Sequence, residues 1–398
     1  MTRSPARALS PAITFRGNLK STRHGWLRLT PAYSVELVRE LLSRRARPDL
    51  PVLDPFCGTG TTLLSCAEQG IACRTVDINP FLRWLAEVKS RPYSARDVTR
   101  AGQLVEQMGQ AARRGRAREW VPPLHKIEKW WDDATLSALS RAFAELRGKQ
   151  GKARDLAALA FCRSLIDVGN VSFRHQSMSF RKRAEQHDVA AVLSRAFAAL
   201  APAAREPMPG QDLQLLVGDS RDLPGILPRA ACGAVITSPP YVNRMSYIRE
   251  LRPYMYWLGF LDDGRQAGEL DWRAIGGTWG VATSMLSDWR PEVPLGLRSL
   301  GALTRKIGEK SPLLARYVER YFVDMDRHVA GLARVLAPGG EAHYVIGNSK
   351  FFEHTVPAER LLARLFERHG FARPTVRVLR RRTSKKELFE YLVSARRS

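Results

Sequence analysis

The sequence predicts an α/β protein built on a doubly wound, mostly parallel sheet. Short apolar runs that end in acidic or turn residues alternate along the chain with apolar residues at helical spacing. The first of these runs leads directly into a glycine-rich turn and then a helix, which is typical of a βα unit. A long stretch rich in Ala, Leu and Arg interrupts the alternation, so we also expect a helical insertion.

The first half of the predicted sheet lies near the N-terminus. Apolar residues at helical spacing predict a helix over 35–42, after a basic N-terminal segment. The apolar run at 51–54 predicts the first strand, and the helix after the glycine turn is expected over 62–68. A second strand over 71–77 and a second helix over 81–88 repeat this order. Two βα units in succession indicate parallel strands.

The remaining elements are less regular. The helical pattern from about 95 to 205 contains no convincing strand, and 244–315, rich in Trp, Tyr, Arg and Gly, shows no clear pattern. Later strands are predicted at 213–217, 234–236 and 341–346, with a long helix over 317–336 and an antiparallel closing pair at 373–379 and 389–393.

Composition limits the kind of partner and compartment. The chain has 398 residues, with 63 Lys and Arg against 39 Asp and Glu, which gives a net charge of +24. Such a surplus attracts polyanions, among which nucleic acid is the commonest partner. There is no apolar stretch long enough to span a bilayer and no apolar signal-peptide segment, so we expect a cytoplasmic protein without a membrane partner. The five cysteines lack zinc-ligand spacing, so we expect buried, reduced thiols and no metal.

The turn DPFCGTG, residues 54–60, is the first candidate site. Glycines let the backbone turn sharply and approach a ligand, and the helix that follows offers free amides at its positive end. Asp77 lies at the tip of the second strand, where a carboxylate accepts hydrogen bonds from ribose hydroxyls. Together these features predict a cofactor that contains a nucleoside.

The motif SPPY, made of Ser238, Pro239, Pro240 and Tyr241, is the candidate catalytic site. Prolines lack an amide hydrogen and fix φ, so the neighbouring carbonyls form an array that only accepts hydrogen bonds. Such an array suits an exocyclic amine, and Tyr241 offers a stacking face for a flat base. An edge strand that ends in prolines is the structural alternative; the pairing with the glycine turn favours the catalytic interpretation.

The sequence resembles the S-adenosylmethionine-dependent amino-methyltransferases of DNA, which methylate the N4 amine of cytosine or the N6 amine of adenine. The motifs DPFCGTGT, VDINP, VGDSRDLP, TSPPY, LAPGG and KKELFEYLV occur in the order of the family fold. The resemblance covers about residues 15–90, 212–262 and 320–395. It implies a Rossmann-like class I methyltransferase fold, S-adenosyl-L-methionine as cofactor and double-stranded DNA as partner.

The resemblance also implies roles for individual residues. Asp77 would bind the ribose hydroxyls, and Asp219 would accept a hydrogen bond from the adenine amino group of the cofactor. The residues expected to line the rest of the cofactor are Asp54, Phe56, Gly58, Gly60, Thr61, Ile78, Asn79 and Ser220, together with Thr30 and Pro31 from a looser match at TPAY.

By the same resemblance, the chain divides into five segments. Catalytic parts are expected at 1–92, 211–262 and 316–398, a helical insertion at 93–210, and a variable insertion at 263–315. Either insertion is a candidate for target recognition. The basic residues expected to contact DNA are Arg174, Arg181, Lys182, Arg183, Arg244 and Arg249. For the first four, the alternative is a solvated helix end whose two phenylalanines lie in the core.

Several functions remain open at this point. The chain has no Pro-Cys pair, which argues against carbon-5 methylation of cytosine. SPPY favours direct transfer to the N4 amine of a flipped-out cytosine, in a restriction-modification or epigenetic role beside a cognate restriction endonuclease or without one. The alternatives are an N6-adenine enzyme, a tRNA guanine-N2 methyltransferase, since some of those carry DPFCGTG and a Pro-Pro tip, and a non-catalytic DNA-binding protein.

Overall fold

The computed structural model describes residues 18, 22–29, 33–115, 118–172, 179–180, 187–209, 212–278, 281–382 and 387–398. The strands in chain order are β1 (Val52–Asp54), β2 (Cys73–Asp77), β3 (Val171–Ser172), β4 (Ser179–Phe180), β5 (Leu213–Val217), β6 (Cys232–Thr237), β7 (Leu336–Gly347), β8 (Ser349–Phe351), β9 (His354–Val356), β10 (Phe371–Arg381) and β11 (Phe389–Arg397).

The central sheet has the strand order β10-β11-β7-β6-β1-β2-β5. Its first five paired strands in the chain, β1, β2, β5, β6 and β7, are parallel, while β11 is antiparallel to both β7 and β10. This is the Rossmann-like class I methyltransferase fold that was predicted, including the antiparallel pair at the C-terminus. Because the strands are parallel, the carboxyl ends of β1, β2, β5 and β6 meet at one edge of the sheet, where such folds bind ligands.

Helices cover both faces of the sheet. In chain order they are α1 (Val35–Ser43), α2 (Thr61–Gln69), α3 (Pro80–Ser90), α4 (Ala95–Arg113), α5 (Asp133–Ala144), α6 (Lys152–Asp167), α7 (Val189–Arg205), α8 (Tyr247–Trp257), α9 (Gly264–Arg273), α10 (Val281–Asp288), α11 (Arg298–Gly308), α12 (Pro312–Val335) and α13 (Ala358–Arg368). Short 3-10 helices occupy Arg23–Gly25, Ile127–Lys129 and Ser220–Gly225. None of the helices in the described residues combines the length and apolar composition needed to cross a membrane.

The predicted helical insertion corresponds to α4–α7. Its buried aromatic residues include Trp131 and Phe161, which contact the ring of Trp257 from α8. The insertion therefore shares one hydrophobic core with the helix that follows the SPPY tip. It also contains a short hairpin of β3 and β4, although no strand was expected there, because two-residue strands leave no periodic signal.

The segment without a clear sequence pattern folds into α8–α11. These helices are short, and glycines at 259, 276 and 296 have positive φ in the turns between them, which shortens each periodic stretch. All five cysteines are buried and unpaired, as expected. Within the described ranges, no cluster of His, Cys, Asp and Glu has the arrangement of a metal site.

Candidate active site

The glycine turn follows β1 at the ligand-binding edge of the sheet. Gly58 and Gly60 have φ values of +51° and +77°, a left-handed backbone that favours glycine. A Cβ atom at Gly60 would also lie 2.9 Å from the Cβ of Ala86 in α3. The turn therefore needs glycine at position 60 for backbone conformation and helix packing, whether or not the residue contacts a cofactor.

Asp77 joins this turn to the one that follows β2. Its Oδ2 accepts a hydrogen bond from the Gly58 amide at 2.9 Å, and its Oδ1 accepts one from the Asn79 amide at 2.8 Å. Each carboxylate oxygen has a second lone pair, so capacity remains for the two ribose hydroxyls predicted to bind here. Burial raises the pKa of Asp77 to about 6.

Asp54 is a fully buried carboxylate at the end of β1. Its Oδ1 accepts hydrogen bonds from the Thr237 hydroxyl at 2.6 Å and the Phe56 amide at 3.2 Å. Its Oδ2 is buried and meets the geometry of a hydrogen bond with none of the described residues, although the Thr62 hydroxyl lies close to the carboxyl group and acts to lower its pKa. Burial is the main cause that raises the pKa of Asp54 to about 7. An unpartnered carboxylate oxygen of this kind fits a cationic donor such as the amino group of S-adenosylmethionine.

Three predicted cofactor residues lie at the start of helices or between a strand and a helix, where they also stabilise the fold. The side chain of Asn79 caps α3 by accepting hydrogen bonds from the Phe81 and Leu82 amides. Thr61 is buried in the first turn of α2, and Ile78 lies partly buried between β2 and α3. Their predicted cofactor contacts stay predictions.

Asp219, after β5, is held by a neighbouring arginine. Both of its oxygens accept hydrogen bonds from the Arg221 side chain, and Arg221 also pairs with Asp324 at 2.9 Å. Burial acts to raise the pKa of Asp219, but the Arg221 hydrogen bonds and charge outweigh it and hold the pKa below its ordinary value. The carboxylate therefore stays ionised as an acceptor, and its predicted contact with the cofactor adenine stays a prediction.

His328 contacts two of the predicted cofactor loops, the one after β1 and the one after β5. Its Nδ1 donates to the Ser220 carbonyl at 2.8 Å, its Nε2 accepts from the Tyr344 hydroxyl at 2.6 Å, and its ring lies 4.8 Å from that of Phe56. This assignment of the ring proton follows because a carbonyl only accepts hydrogen bonds. His328 is fully buried, and burial lowers its pKa to about 4. The contacts fix Phe56 and Ser220 relative to each other.

Replacement of His328 by Asn is expected to change the pH dependence of stability. In the unfolded chain this histidine takes up a proton near pH 6.5, whereas in the folded state it stays neutral until about pH 4. Wild-type stability should therefore fall as the pH falls from 6.5 toward 4, with a contribution on the order of 2 kcal/mol between pH 8 and pH 5.

The asparagine variant cannot titrate, so its free energy of unfolding, although lower at pH 8, should lose correspondingly less on acidification. Urea titrations at pH 8 and pH 5 measure both values. His125→Asn, at an exposed position, is the control. Equal acid sensitivity of His328→Asn and wild type would contradict the assignment of a neutral buried ring.

The SPPY tip follows β6 directly. The Ser238 hydroxyl donates to the Val345 carbonyl at 3.0 Å, which leaves the lone pairs of its oxygen to accept from another donor. The Pro240 carbonyl accepts from the Tyr321 hydroxyl at 2.7 Å. Pro239 is buried between them. Ser238 therefore lies as an acceptor at the same edge of the sheet as Asp54. Its chain neighbour Thr237 donates the hydrogen bond to Asp54 that links the two.

Tyr241 is held by residues of the C-terminal strands. Its hydroxyl lies 3.3 Å from Glu390 Oε1, and the guanidinium of Arg382 lies 5.6 Å from the centre of its ring. A Cβ atom at Gly347 would come within 2.8 Å of the ring, so the glycine leaves the space that Tyr241 fills. Burial and the charge of Glu390 raise the pKa of Tyr241 well above its ordinary value, so the hydroxyl keeps its proton.

The predicted DNA-binding residues are only partly covered by the structure. Arg244 and Arg249 are exposed just after the SPPY tip, and Arg244 has the left-handed backbone φ of +59°. Phe180 is 44% exposed and packs edge-on against Trp130 at 5.4 Å. The candidates that lie outside the described residues are Arg174, Arg181, Lys182 and Arg183, and so are the predicted cofactor residues Thr30 and Pro31.

The structure also shows residues that the sequence analysis missed. Lys89 of α3 is buried, and its Nζ donates to the Thr59 carbonyl in the glycine turn at 3.1 Å. Burial lowers the pKa of Lys89 to about 8. A lysine inside a helical pattern is usually exposed, so no local signal marks it. Thr237 lay within a motif that was recognised, but its link to Asp54 depends on the pairing of β1 with β6.

The chain is similar in sequence to several proteins named methyltransferases. No family model matches the chain. The type II methyltransferase M.AvaI of Nostoc sp. is 22% identical over 406 aligned residues, which cover 90% of this chain and 81% of that protein. The type II methyltransferase M.MvaI of Kocuria varians is 22% identical, with 89% and 83% covered. M.MjaII of Methanocaldococcus jannaschii is 43% identical over 58 residues, 15% of this chain and 11% of that protein.

Similarity to solved structures is weak. A crystal structure of TrmN from Thermus thermophilus aligns with 92% of this chain and 48% of its own, at 12% identity and a TM-score of 0.33. An rRNA methyltransferase, aviRa of Streptomyces viridochromogenes, covers 96% of both chains at 12% identity and a TM-score of 0.30. Similarities this low are not evidence for the fold. The fold assignment depends on the order and direction of the strands. Over most of its length the chain is thus similar to proteins named type II methyltransferases.

Proposed function

We propose that this protein is an S-adenosylmethionine-dependent DNA methyltransferase that methylates the exocyclic N4 amine of a flipped-out cytosine. The observation that carries the proposal is the hydrogen bond of 2.6 Å between Thr237 and Asp54. It joins the strand that ends in SPPY to the strand that ends in the glycine turn. This contact places the SPPY tip next to the glycine turn, which supports a single site for the target amine and the cofactor, and similarity to type II methyltransferases over 90% of the chain supports the reaction class.

The residues of the glycine turn and of the neighbouring strand ends would hold the cofactor. Asp77 would accept the ribose hydroxyls, and the free oxygen of Asp54 would face the cationic amino acid part. When bound, S-adenosylmethionine supplies an electrophilic methyl group. Phe56, backed by the ring of His328, offers an apolar surface beside this position, which would exclude water from the site.

The SPPY tip would orient the target amine. The hydroxyl hydrogen of Ser238 is engaged by Val345, so its oxygen acts only as an acceptor, and it would accept one amine hydrogen next to the Tyr241 hydroxyl, which is also within hydrogen-bond reach of it. The Pro240 carbonyl already accepts from Tyr321, which leaves the Pro239 carbonyl as the second acceptor in our proposal. Two acceptors would hold the nitrogen lone pair toward the cofactor, and positioning of this kind provides much of the rate enhancement in such transfers. Tyr241 would stack on the flipped base.

The choice of base depends on the motif. Cytosine N4 and adenine N6 are both amines that need acceptors, so Ser238 and Pro239 suit either. The resemblance of SPPY to N4-cytosine enzymes supports cytosine, with N6-adenine as the alternative. We propose that the insertions take part in target recognition. In support, the helical insertion carries the 44% exposed ring of Phe180, and this ring packs on Trp130, which also lies against Arg252 of α8, just after the SPPY tip.

The proposal is tested by identifying the reaction product. Purified protein is incubated with S-adenosylmethionine and unmethylated genomic DNA, and the DNA is digested to nucleosides for mass spectrometry. N4-methylcytosine is the expected product. N6-methyladenine would overturn the choice of base, methylation of tRNA alone would favour the RNA alternative, and no product on either substrate would favour a DNA-binding protein without activity. Ser238→Ala is the matched inactive control.

Arg244 and Arg249 are expected to contact DNA phosphates beside the flipped base. Replacement of both by alanine should make the dependence of DNA binding on salt less steep. The negative slope of the logarithm of the DNA association constant against log salt concentration should shrink in magnitude by about 2, because each lost phosphate contact removes roughly 0.9. Fluorescence anisotropy with a duplex at several salt concentrations measures this slope. Arg360→Ala with Arg364→Ala, two exposed arginines of α13, is the control. A slope equal to that of wild type would exclude Arg244 and Arg249 from the DNA interface.

A further inference from the structure

Tyr241 is connected to the C-terminal strands by a row of three paired positions. In the sheet register Arg380 of β10 lies opposite Glu390 of β11, and Glu390 lies opposite Gly347 of β7. Residues opposite each other on neighbouring strands are within reach of each other's side chains. The Tyr241 ring rests over Gly347, where a side chain would collide with it.

Glu390 is held firmly within this row. Arg380 donates from Nε to Glu390 Oε2 at 2.6 Å and from Nη2 to Oε1 at 2.8 Å, the two-point geometry that orients a carboxylate most strongly. Both side chains are less than one quarter exposed. The oriented Oε1 also accepts from the Tyr241 hydroxyl. Because the tyrosine keeps its proton, it is the donor in this bond.

Resting on the proposed function, we infer that Glu390 is a positioning residue for methyl transfer, which fixes the Tyr241 ring through its hydroxyl so that the ring is ready to stack on the target base. Arg380 in turn fixes Glu390. A tyrosine has two rotatable side-chain bonds, and a ring held at its hydroxyl as well as at its face loses little additional freedom when the base arrives. Glu390 therefore acts on the rate of transfer and not on the binding of cofactor.

A double-mutant cycle separates this role from simple support of the fold. Glu390→Ala is expected to lower the single-turnover rate of DNA methylation about tenfold, the effect typical of one hydrogen bond to a charged group. Glu390→Gln keeps an acceptor oxygen and should lose about threefold. In a Tyr241→Phe background, which lacks the hydroxyl, both substitutions should change the rate less than twofold, because the contact through which they act is gone.

The readouts are chosen so that a structural effect is recognisable. Affinity for S-adenosylmethionine, measured by calorimetry, should be unchanged in every variant, and Glu353→Gln, which breaks an exposed ion pair with Lys310, should leave the rate unchanged. If Glu390→Ala lowers the rate equally with and without the Tyr241 hydroxyl, Glu390 does not act through Tyr241 and the inference is wrong. If wild type transfers no methyl group to any substrate, the proposed function fails first, and the inference fails with it.

Discussion

Replacement of Asp54 by Asn is expected to lower the affinity for S-adenosylmethionine about 10- to 100-fold, the range for loss of a charged hydrogen bond. Asparagine keeps the oxygen that accepts from Thr237, so the link between β1 and β6 should survive. It removes the negative charge from the buried oxygen that has no partner among the described residues. Calorimetric titration of the cofactor into each protein measures the difference.

The same substitution is expected to stabilise the protein without cofactor at high pH. In the folded state the pKa of Asp54 is raised to about 7, while in the unfolded chain it is near 4. The folded state therefore holds a proton that the unfolded state has lost, and wild-type stability falls as the pH rises from 4 through 7. The asparagine variant escapes this loss, which amounts to about 4 kcal/mol at pH 8. Its amide nitrogen replaces an oxygen that has no hydrogen-bond partner among the described residues, and an unsatisfied buried donor costs about 2 kcal/mol. Its free energy of unfolding should therefore exceed that of wild type by about 2 kcal/mol at pH 8.

Urea titrations at pH 5 and pH 8 test the stability effect, which should shrink at the lower pH. Asp49→Asn, at an exposed position that pairs with Arg47, controls for loss of an acidic residue. Unchanged cofactor affinity would remove Asp54 from the binding site. A variant less stable than wild type at pH 8 would show that the carboxylate is stabilised in a way that the structure does not display.

Replacement of Tyr241 by Ala is expected to lower the single-turnover rate of DNA methylation about 30-fold, while the cofactor affinity changes less than twofold. Loss of one aromatic stacking partner for a base costs roughly 1–3 kcal/mol, which sets this scale. The substitution also empties the space over Gly347, so Glu390 and Arg382 lose the ring that they contact.

Rapid-quench measurements with DNA, together with cofactor calorimetry, distinguish the two effects. Tyr241→Phe is the graded control, because it keeps the stacking face and should lose only the part that depends on Glu390. A thermal melt of each variant checks the fold. If Tyr241→Ala methylates DNA at the wild-type rate, Tyr241 does not hold the target base, and SPPY would be a proline-terminated strand end.

Much of the fold was predictable because its signals are local. The strands at 52–54, 73–77 and 213–217 agree with the predicted ones to within two residues, since each is an apolar run bounded by turn residues. The helices α8–α11 were not predictable, because short helices separated by glycine carry too few turns to show a period. The long β7 begins at Leu336, inside the LAPGG motif that we expected only to end a helix.

The candidate site likewise contains residues that were predictable from local sequence and contacts that were not. Asp54, Asp77 and the SPPY residues are marked by turns that the chain forms with its nearest neighbours. The sequence alone determined that each lies at the end of a strand or directly after one. Only the tertiary structure decided that Thr237 meets Asp54, that His328 supports Phe56 and Ser220, and that Glu390 reaches Tyr241. These contacts depend on strand order and on the register of β11 between β7 and β10, and they join residues more than 50 positions apart. Pairing over such separations is decided by burial of the whole sheet and not by the residues on either side of each contact.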